Sequence, residues 1–209
     1  MFLRARARAC AYRHTSMVLQ EHAKEDLATH ITAIELYARK RRFLKCVQAV
    51  KRAAPLAAPG DPALHRALVR FLVSLEGNKG SINPAVRQVV ELELADSGAW
   101  GLPQSLSASP GDYNKEYMAA FGSASLVHAS AAAWALAHLA HTASSALPVA
   151  QVAGLLERAA VPSGSSLRET LAALAILRDL GLDASLTSAF CAKARVRFPL
   201  SPAFAEGKA

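Results

Sequence analysis

The chain has 209 residues, with Lys+Arg 24 against Asp+Glu 16, a formal net charge of +8. That length sets one domain or one short repeat array as the expectation. Hydrophobic content of 52% excludes wholesale disorder. A chain with 45 Ala and only 6% aromatic residues suits closely packed helices and suits a sheet badly.

All of the excess charge falls in residues 1–52, which hold twelve bases and four acids, while the remainder is balanced. A partner drawn by charge would therefore approach the N-terminal quarter. Residues 1–20 carry four Arg and no acid, a composition shared with mitochondrial transit peptides, and residues 1–15 are expected to be disordered or extraneous. Three distant cysteines, Cys10, Cys46 and Cys191, form neither a disulfide framework nor a zinc spacing and point to a reducing compartment.

Helix signals run the length of the chain. Ser16 can cap a first helix over about 17–27. Ile31, Ile34, Leu36 and Tyr37 mark a second, ending at the basic run Arg39–Arg42. A third follows with Phe43, Leu44, Val47, Val50 and Ala54, and stops at Pro55, Pro59 and Gly60. Asp61-Pro62 and Asn83-Pro84 are cap-plus-proline starts of two more. Residues 97–112, rich in Ser, Gly and Pro, read as a loop and the best place for an insertion or hinge.

Beyond it, a short helix is expected from Tyr113 to Phe121 and a long one over 123–143. The stretch from Tyr117 to Leu156 has no Asp, Glu, Lys or Arg, but Ser, Thr, Gln and His interrupt it, so it reads as buried helix and not as a membrane span. Pro148 opens a helix reaching about Ala160. Ser166-x-x-Glu169 is a capping box, and Asp183 caps a last helix ending before Pro199.

Leu27 to Gly60 is a 34-residue helix–turn–helix unit, the period and shape of a tetratricopeptide (TPR) repeat. Tyr37 and Phe43 take its large positions, and Cys46 and Ala53 the small ones where helices approach closely. The expected fold is all-α: antiparallel helical hairpins forming a TPR-like α-solenoid fragment. It divides into repeats over 16–96, the loop 97–112, a C-terminal helical region over 113–199 and a tail, 200–209.

No nucleotide-binding, acetyl-CoA-binding or nucleophile-elbow motif occurs. His138 and His141 share a helix face, but no further ligand lies near in sequence. No catalytic residue, cofactor or metal is therefore assigned. The feature with functional promise is the basic cluster Arg39, Lys40, Arg41, Arg42, Lys45, Lys51 and Arg52. It could meet phosphates or an acidic protein surface, or could be a solvated helix end complementing a helix C-terminus.

The repeat also carries a resemblance. Thr29-His30, Ala33, Glu35, Tyr37, Arg39-Lys40, Arg42-Phe43-Leu44, Gln48 and Val50-Lys51-Arg52-Ala53 resemble a late helical repeat of the large auxiliary subunit of the NatA N-terminal acetyltransferase. The likeness continues through Pro62, Leu64-His65 and Arg70-Phe71, then Val86-Arg87 and Val89. Cys191, Phe198-Pro199 and Ala203-Phe204 are similar to its closing segment. The resemblance implies a non-catalytic cytoplasmic scaffold that holds a catalytic subunit and associates with the ribosome during N-terminal acetylation. In some eukaryotes it also implies contact with the regulator Huntingtin-interacting protein K. The chain matches only about the C-terminal quarter of such a subunit. The alternative from the residues alone is a basic helical adaptor for RNA or ribosome, with the Arg-rich start allowing a mitochondrial location.

Overall fold

A computed structural model describes residues 23–143, 151–152, 165–179 and 184–204. These form eight α-helices and four short 3-10 turns, with no strand among the described residues. The helices are α1 (Leu27–Arg39), α2 (Phe43–Ala53), α3 (Pro62–Gly77), α4 (Pro84–Ala95), α5 (Pro110–Phe121), α6 (Leu126–Thr142), α7 (Leu167–Asp179) and α8 (Ala184–Arg197). They fall into two compact units, one of residues up to Pro59 with Arg70–Ser107, the other of Gly60–Val69 with Ala108 onward. The helix expected from Pro148 to Ala160 lies outside the described residues, apart from helical Gln151 and Val152.

In the first unit, α1 begins where its N–H groups find an acceptor. The Asp26 carboxylate takes those of Ala28 at 3.3 Å and Thr29 at 3.0 Å, so the free donors of the first turn are satisfied. Residues 23–26 are consequently not helical. The described end of the helix expected over 17–27 is instead the cap of the next one. The α1–α2 hairpin buries Ile34, Tyr37, Phe43, Val47 and Val50. Cys46 and Ala53 are wholly buried, and the Cys46 thiol donates to the Ile34 carbonyl at 3.8 Å. Larger side chains there would push the two helices apart. Phe71, from the second half of α3, packs its ring 6.5 Å from that of Phe43. Arg70 pairs with Glu35 of α1, and the Ser74 hydroxyl donates to the Ala38 carbonyl at 3.2 Å.

The stretch expected to be a loop is more ordered than its composition suggests. Two 3-10 turns, Ser97–Trp100 and Gln104–Ser107, occupy it. The buried Ser97 hydroxyl donates to the Pro103 carbonyl at 3.1 Å, and Leu106 is buried. Helix α5 starts at Pro110, three residues before the expected Tyr113, because the Ser109 hydroxyl accepts the Asp112 N–H at 3.0 Å.

In the second unit, the long apolar stretch becomes α6, which buries Ala129, Ala131, Ala132, Ala133, Ala135 and Ala137. No helix among the described residues is long and apolar enough to cross a membrane. The α6 core meets Leu174 and Leu177 of α7, Phe190 of α8 and Phe204. The expected capping box is formed: the Ser166 N–H donates to Glu169 Oε2 at 2.8 Å and the Glu169 N–H to Ser166 Oγ at 3.2 Å.

Gly60 opens this unit with φ +73°, a left-handed conformation that disfavours any Cβ by about 1–2 kcal/mol. Its carbonyl accepts the Tyr117 hydroxyl at 3.0 Å. A Cβ there would stand 2.7 Å from the Phe121 ring. Gly101 has a similar φ of +75° but open space around it. Gly60→Ala should therefore lose about 2 kcal/mol or more, and Gly101→Ala only about 1 kcal/mol. Urea midpoints of the two variants check the contrast, and equal losses would remove Phe121 from the account.

His65 is buried between α5 rings, stacked on Tyr117 at 3.6 Å and tilted against Tyr113 at 5.1 Å. Its Nε2 donates to Asn114 Oδ1 at 3.0 Å, and Asn114 Nδ2 donates to the Ala132 carbonyl at 3.4 Å. Burial, with smaller contributions from Arg66 and His128, pushes the imidazole down to about 3 despite the Asn114 bond, which acts the other way. An unfolded His65 binds a proton below its ordinary value of about 6.5, while the folded one stays neutral to about pH 3. The unfolded state thus holds more protons in that window, and stability must fall as pH falls through it, by up to ~1.4 kcal/mol per pH unit. Stability measured from pH 7 to 5 should show this slope, and His65→Gln should flatten it. An unchanged slope in that variant would assign the acid sensitivity elsewhere.

Candidate functional site: a basic helical reversal and its groove

The basic run reverses the chain between α1 and α2. The Arg42 N–H donates to the Tyr37 carbonyl at 2.9 Å and the Arg41 N–H to the Ala38 carbonyl at 3.0 Å. These two bonds close a helix end of the Schellman type, which requires a left-handed residue where the helix stops. That residue is Arg41, with φ 54°, and among the described residues it is the non-glycine with positive φ. Glycine is the usual occupant because it has no Cβ to strain. Here an arginine stands in the strained position, and its side chain is exposed.

The electrostatics of this turn are uneven. Arg39 lies in the last turn of α1, where a cation complements the negative helix end. Arg42 is the N-cap of α2, and no side chain caps that end. Arg41 and Arg42 therefore add positive charge beside the positive end of a helix dipole, which is unfavourable without an anion. Arg39, Arg41 and Arg42 are exposed and Lys40 half-buried. None of the four makes an ion pair among the described residues.

The members of the expected cluster of seven differ in their surroundings. The Lys51 ammonium binds the Glu93 carboxylate of α4 and lies 4.9 Å from the centroid of the Trp100 ring. The Lys45 ammonium stands 5.6 Å from the centroid of Tyr37. Lys45, Lys51 and Arg52 line a groove of about 820 Å³ on the hairpin, joined by Lys24. His30 and Tyr37 form part of its wall, with Gln48, Ala49, Pro55 and Leu56 beside them. The cluster thus comprises the turn, Arg39–Arg42, and three cations that line the groove. Lys24, His30 and Gln48 are not among the seven cations of the expected cluster, and His30 and Gln48 stand out in the sequence only through the resemblance. The available signal was the helical spacing, since His30 and Tyr37 lie seven apart on α1 and Lys45, Gln48 and Arg52 share one face of α2.

Elsewhere the chemistry is sparse. Burial pushes the Cys46 thiol up to about 12, so it is a packing residue and no nucleophile. Burial also raises the half-buried Cys191. His138 stacks on Trp134 at 4.8 Å, and no group of three or more metal-ligating side chains occurs among the described residues.

These features define a TPR-like helical-hairpin protein with an exposed basic reversal. The chain is 32% identical over 117 residues to the N-terminal acetyltransferase A complex auxiliary subunit NAA15 of Arabidopsis thaliana, a match covering 54% of this chain and 12% of the relative. It is also similar to N-alpha-acetyltransferase 16, NatA auxiliary subunit: 36% identical over 76 residues to the Mus musculus protein and 34% to the Homo sapiens protein. These mammalian matches cover 36% of this chain and 9% of the relatives. The chain therefore spans about a tenth of the length of the curated relatives it matches. No protein-family model matches it.

The strain at Arg41 generates a test. Arg41→Gly should stabilise the fold by roughly 0.5–1 kcal/mol, the relief of left-handed strain less the added freedom of the unfolded chain. Arg41→Ala, which keeps the strain, should change stability little. A destabilised Arg41→Gly, read from its urea midpoint, would show that the arginine side chain itself holds the turn.

Proposed function

We propose that this chain is a non-catalytic scaffold related to the auxiliary subunit of the NatA complex, acting through helical surfaces to support co-translational N-terminal acetylation. The observation that carries the reading is the coincidence of the relatives' similarity with an α1–α2 hairpin that packs as a repeat unit. A protein whose described polar groups serve caps and packing suits holding a catalytic partner better than performing the chemistry. The proposed partners are a NatA catalytic subunit and the ribosome, with a Huntingtin-interacting protein K-like regulator as a third, and the proposed location is the cytoplasm.

The ribosome is the partner for which the turn is best suited. Arg41 and Arg42 beside an uncapped helix N-terminus, with Arg39 and Lys40 at the end of the helix before it, attract phosphate. The same observation supports the second reading, a basic adaptor for RNA outside any NatA assembly, organellar if residues 1–20 act as a targeting segment.

Co-purification of the full chain with its cognate NatA catalytic subunit separates the readings. Retention of the catalytic subunit supports the scaffold. No retention by a folded sample overturns it. Ribosome binding across a salt series tests the turn, with Arg39, Lys40, Arg41 and Arg42 changed to Ala. Each lost phosphate contact should flatten the log–log slope by roughly 0.7–0.9. An unchanged slope would exclude the turn as the contact.

A further inference from the structure

Ser-Pro occurs twice in the sequence, at Ser109-Pro110 and at Ser201-Pro202. Serine followed by proline is the dipeptide that proline-directed kinases accept, because proline has no N–H and holds the residue before it in extended backbone. We propose that Ser201 is a phosphorylation site for such a kinase and that Ser109 is not. The inference goes beyond the NatA reading and does not depend on it.

Both serines are half-buried, so their own exposure does not separate them. Their surroundings do. The Ser109 hydroxyl caps α5: its oxygen accepts the Asp112 N–H at 3.0 Å, and its proton is donated to Asp112 Oδ2 at 2.7 Å. The Ser109 carbonyl accepts the Tyr113 N–H at 3.0 Å, and Pro110 is buried. A kinase would have to remove the cap and unwind the first turn of α5 to reach this hydroxyl. The arriving phosphate would then meet the Asp112 carboxylate, a like charge.

Ser201 differs in each respect. Among the described residues no group bonds its hydroxyl. Pro199 and Pro202 are exposed, and Leu200 is 96% exposed. Two turn bonds hold the segment: the Ser201 N–H donates to the Phe198 carbonyl at 3.1 Å, and the Phe204 N–H to the Ser201 carbonyl at 3.3 Å. Opening them presents residues 199–202 in extended form while the Phe204 side chain keeps its place in the core of the second unit. Pro199 makes the pattern Pro-x-Ser-Pro, which narrows the enzyme to kinases that read proline on both sides of the serine. From Ala184 to Phe204 the sequence has Lys193, Arg195 and Arg197 and no carboxylate, so the segment itself brings no like charge against a phosphate. The step transfers the γ-phosphoryl group of ATP, held with Mg²⁺ by the kinase, to Ser201 Oγ. An O–P bond forms, the bond to the ADP oxygen breaks, and the hydroxyl proton passes to a base of the kinase. The product carries about −1.5 to −2 at neutral pH, which moves the basic end of α8 toward charge balance.

The test incubates the full chain with an active mitogen-activated protein kinase, Mg²⁺ and ATP, and locates the phosphate by tandem mass spectrometry. The expected result is phosphate on Ser201. Ser201→Ala should abolish it. Pro202→Ala should slow the initial rate by about tenfold or more, and Ser109→Ala should leave that rate within about twofold. The kinase's standard peptide substrate confirms that the enzyme is active, and circular dichroism confirms that the chain and each variant are folded. Phosphate on Ser109 as fast as on Ser201, no incorporation into the folded chain, or an unchanged rate in Pro202→Ala would each overturn the proposal.

Discussion

The chain reversal at Arg41 governs what the first unit presents. Three residues turn α1 into α2, which leaves little slack and brings the two helices back against each other. That contact requires Cys46 and Ala53 to be small and buried, and it sets Phe43 where Phe71 of α3 can reach it. The reversal also fixes the direction of charge. A Schellman end holds Arg41 and Arg42 at the start of α2 by backbone hydrogen bonds, independent of what their side chains do. Positive charge is thereby held against a positive helix end, at an exposed site, by a residue type that the backbone disfavours. A glycine would satisfy the backbone better. The presence of arginine is a local conflict between stability and charge, and such conflicts concentrate where a surface has work other than folding.

The second unit rests on a different constraint. Its helices α5 and α6 bring a histidine, two tyrosines and an asparagine inside an Ala-rich core. Alanines allow the close approach but bury little area each, so the aromatic stack of His65 with Tyr117 supplies contact that small side chains do not. The arrangement is sensitive to protonation, because a charged imidazole there has rings on its faces, Arg66 next to it in sequence and His128 near. The same stack aligns the Tyr117 hydroxyl with the Gly60 carbonyl, which ties the left-handed entry residue of α3 to α5.

Much of this was legible in the residues, for physical reasons. Cap signals read well because they are local: Asp61 and Asn83 accept from the N–H groups two residues on, and Ser166 and Glu169 exchange bonds as their spacing requires. The 34-residue unit read well because its large and small positions reflect helix contact. Two helix starts differ from the expectation. Ser109-Pro110 carries the same cap-plus-proline signal as Asp61-Pro62, but the Ser- and Pro-rich composition around it masks that signal. Asp26 falls within the helix expected over 17–27, yet a carboxylate three residues before Thr29 is better used as a cap. The buried polar set of His65 and Asn114 was not legible at all, since the two residues lie 49 apart and nothing local marks them as partners.

The basic cluster shows where linear reading stops. Seven cations between Arg39 and Arg52 look like one site, but their surroundings differ. Lys51 points to Glu93 and Trp100, and so contributes to holding α4 near α2. Lys45 lies along Tyr37 and lines the groove with Arg52. Only Arg39–Arg42 remain together, at the turn. A net charge therefore overstates the field any single partner meets, and one charge run serves three purposes: an internal ion pair, a groove wall and an exposed reversal.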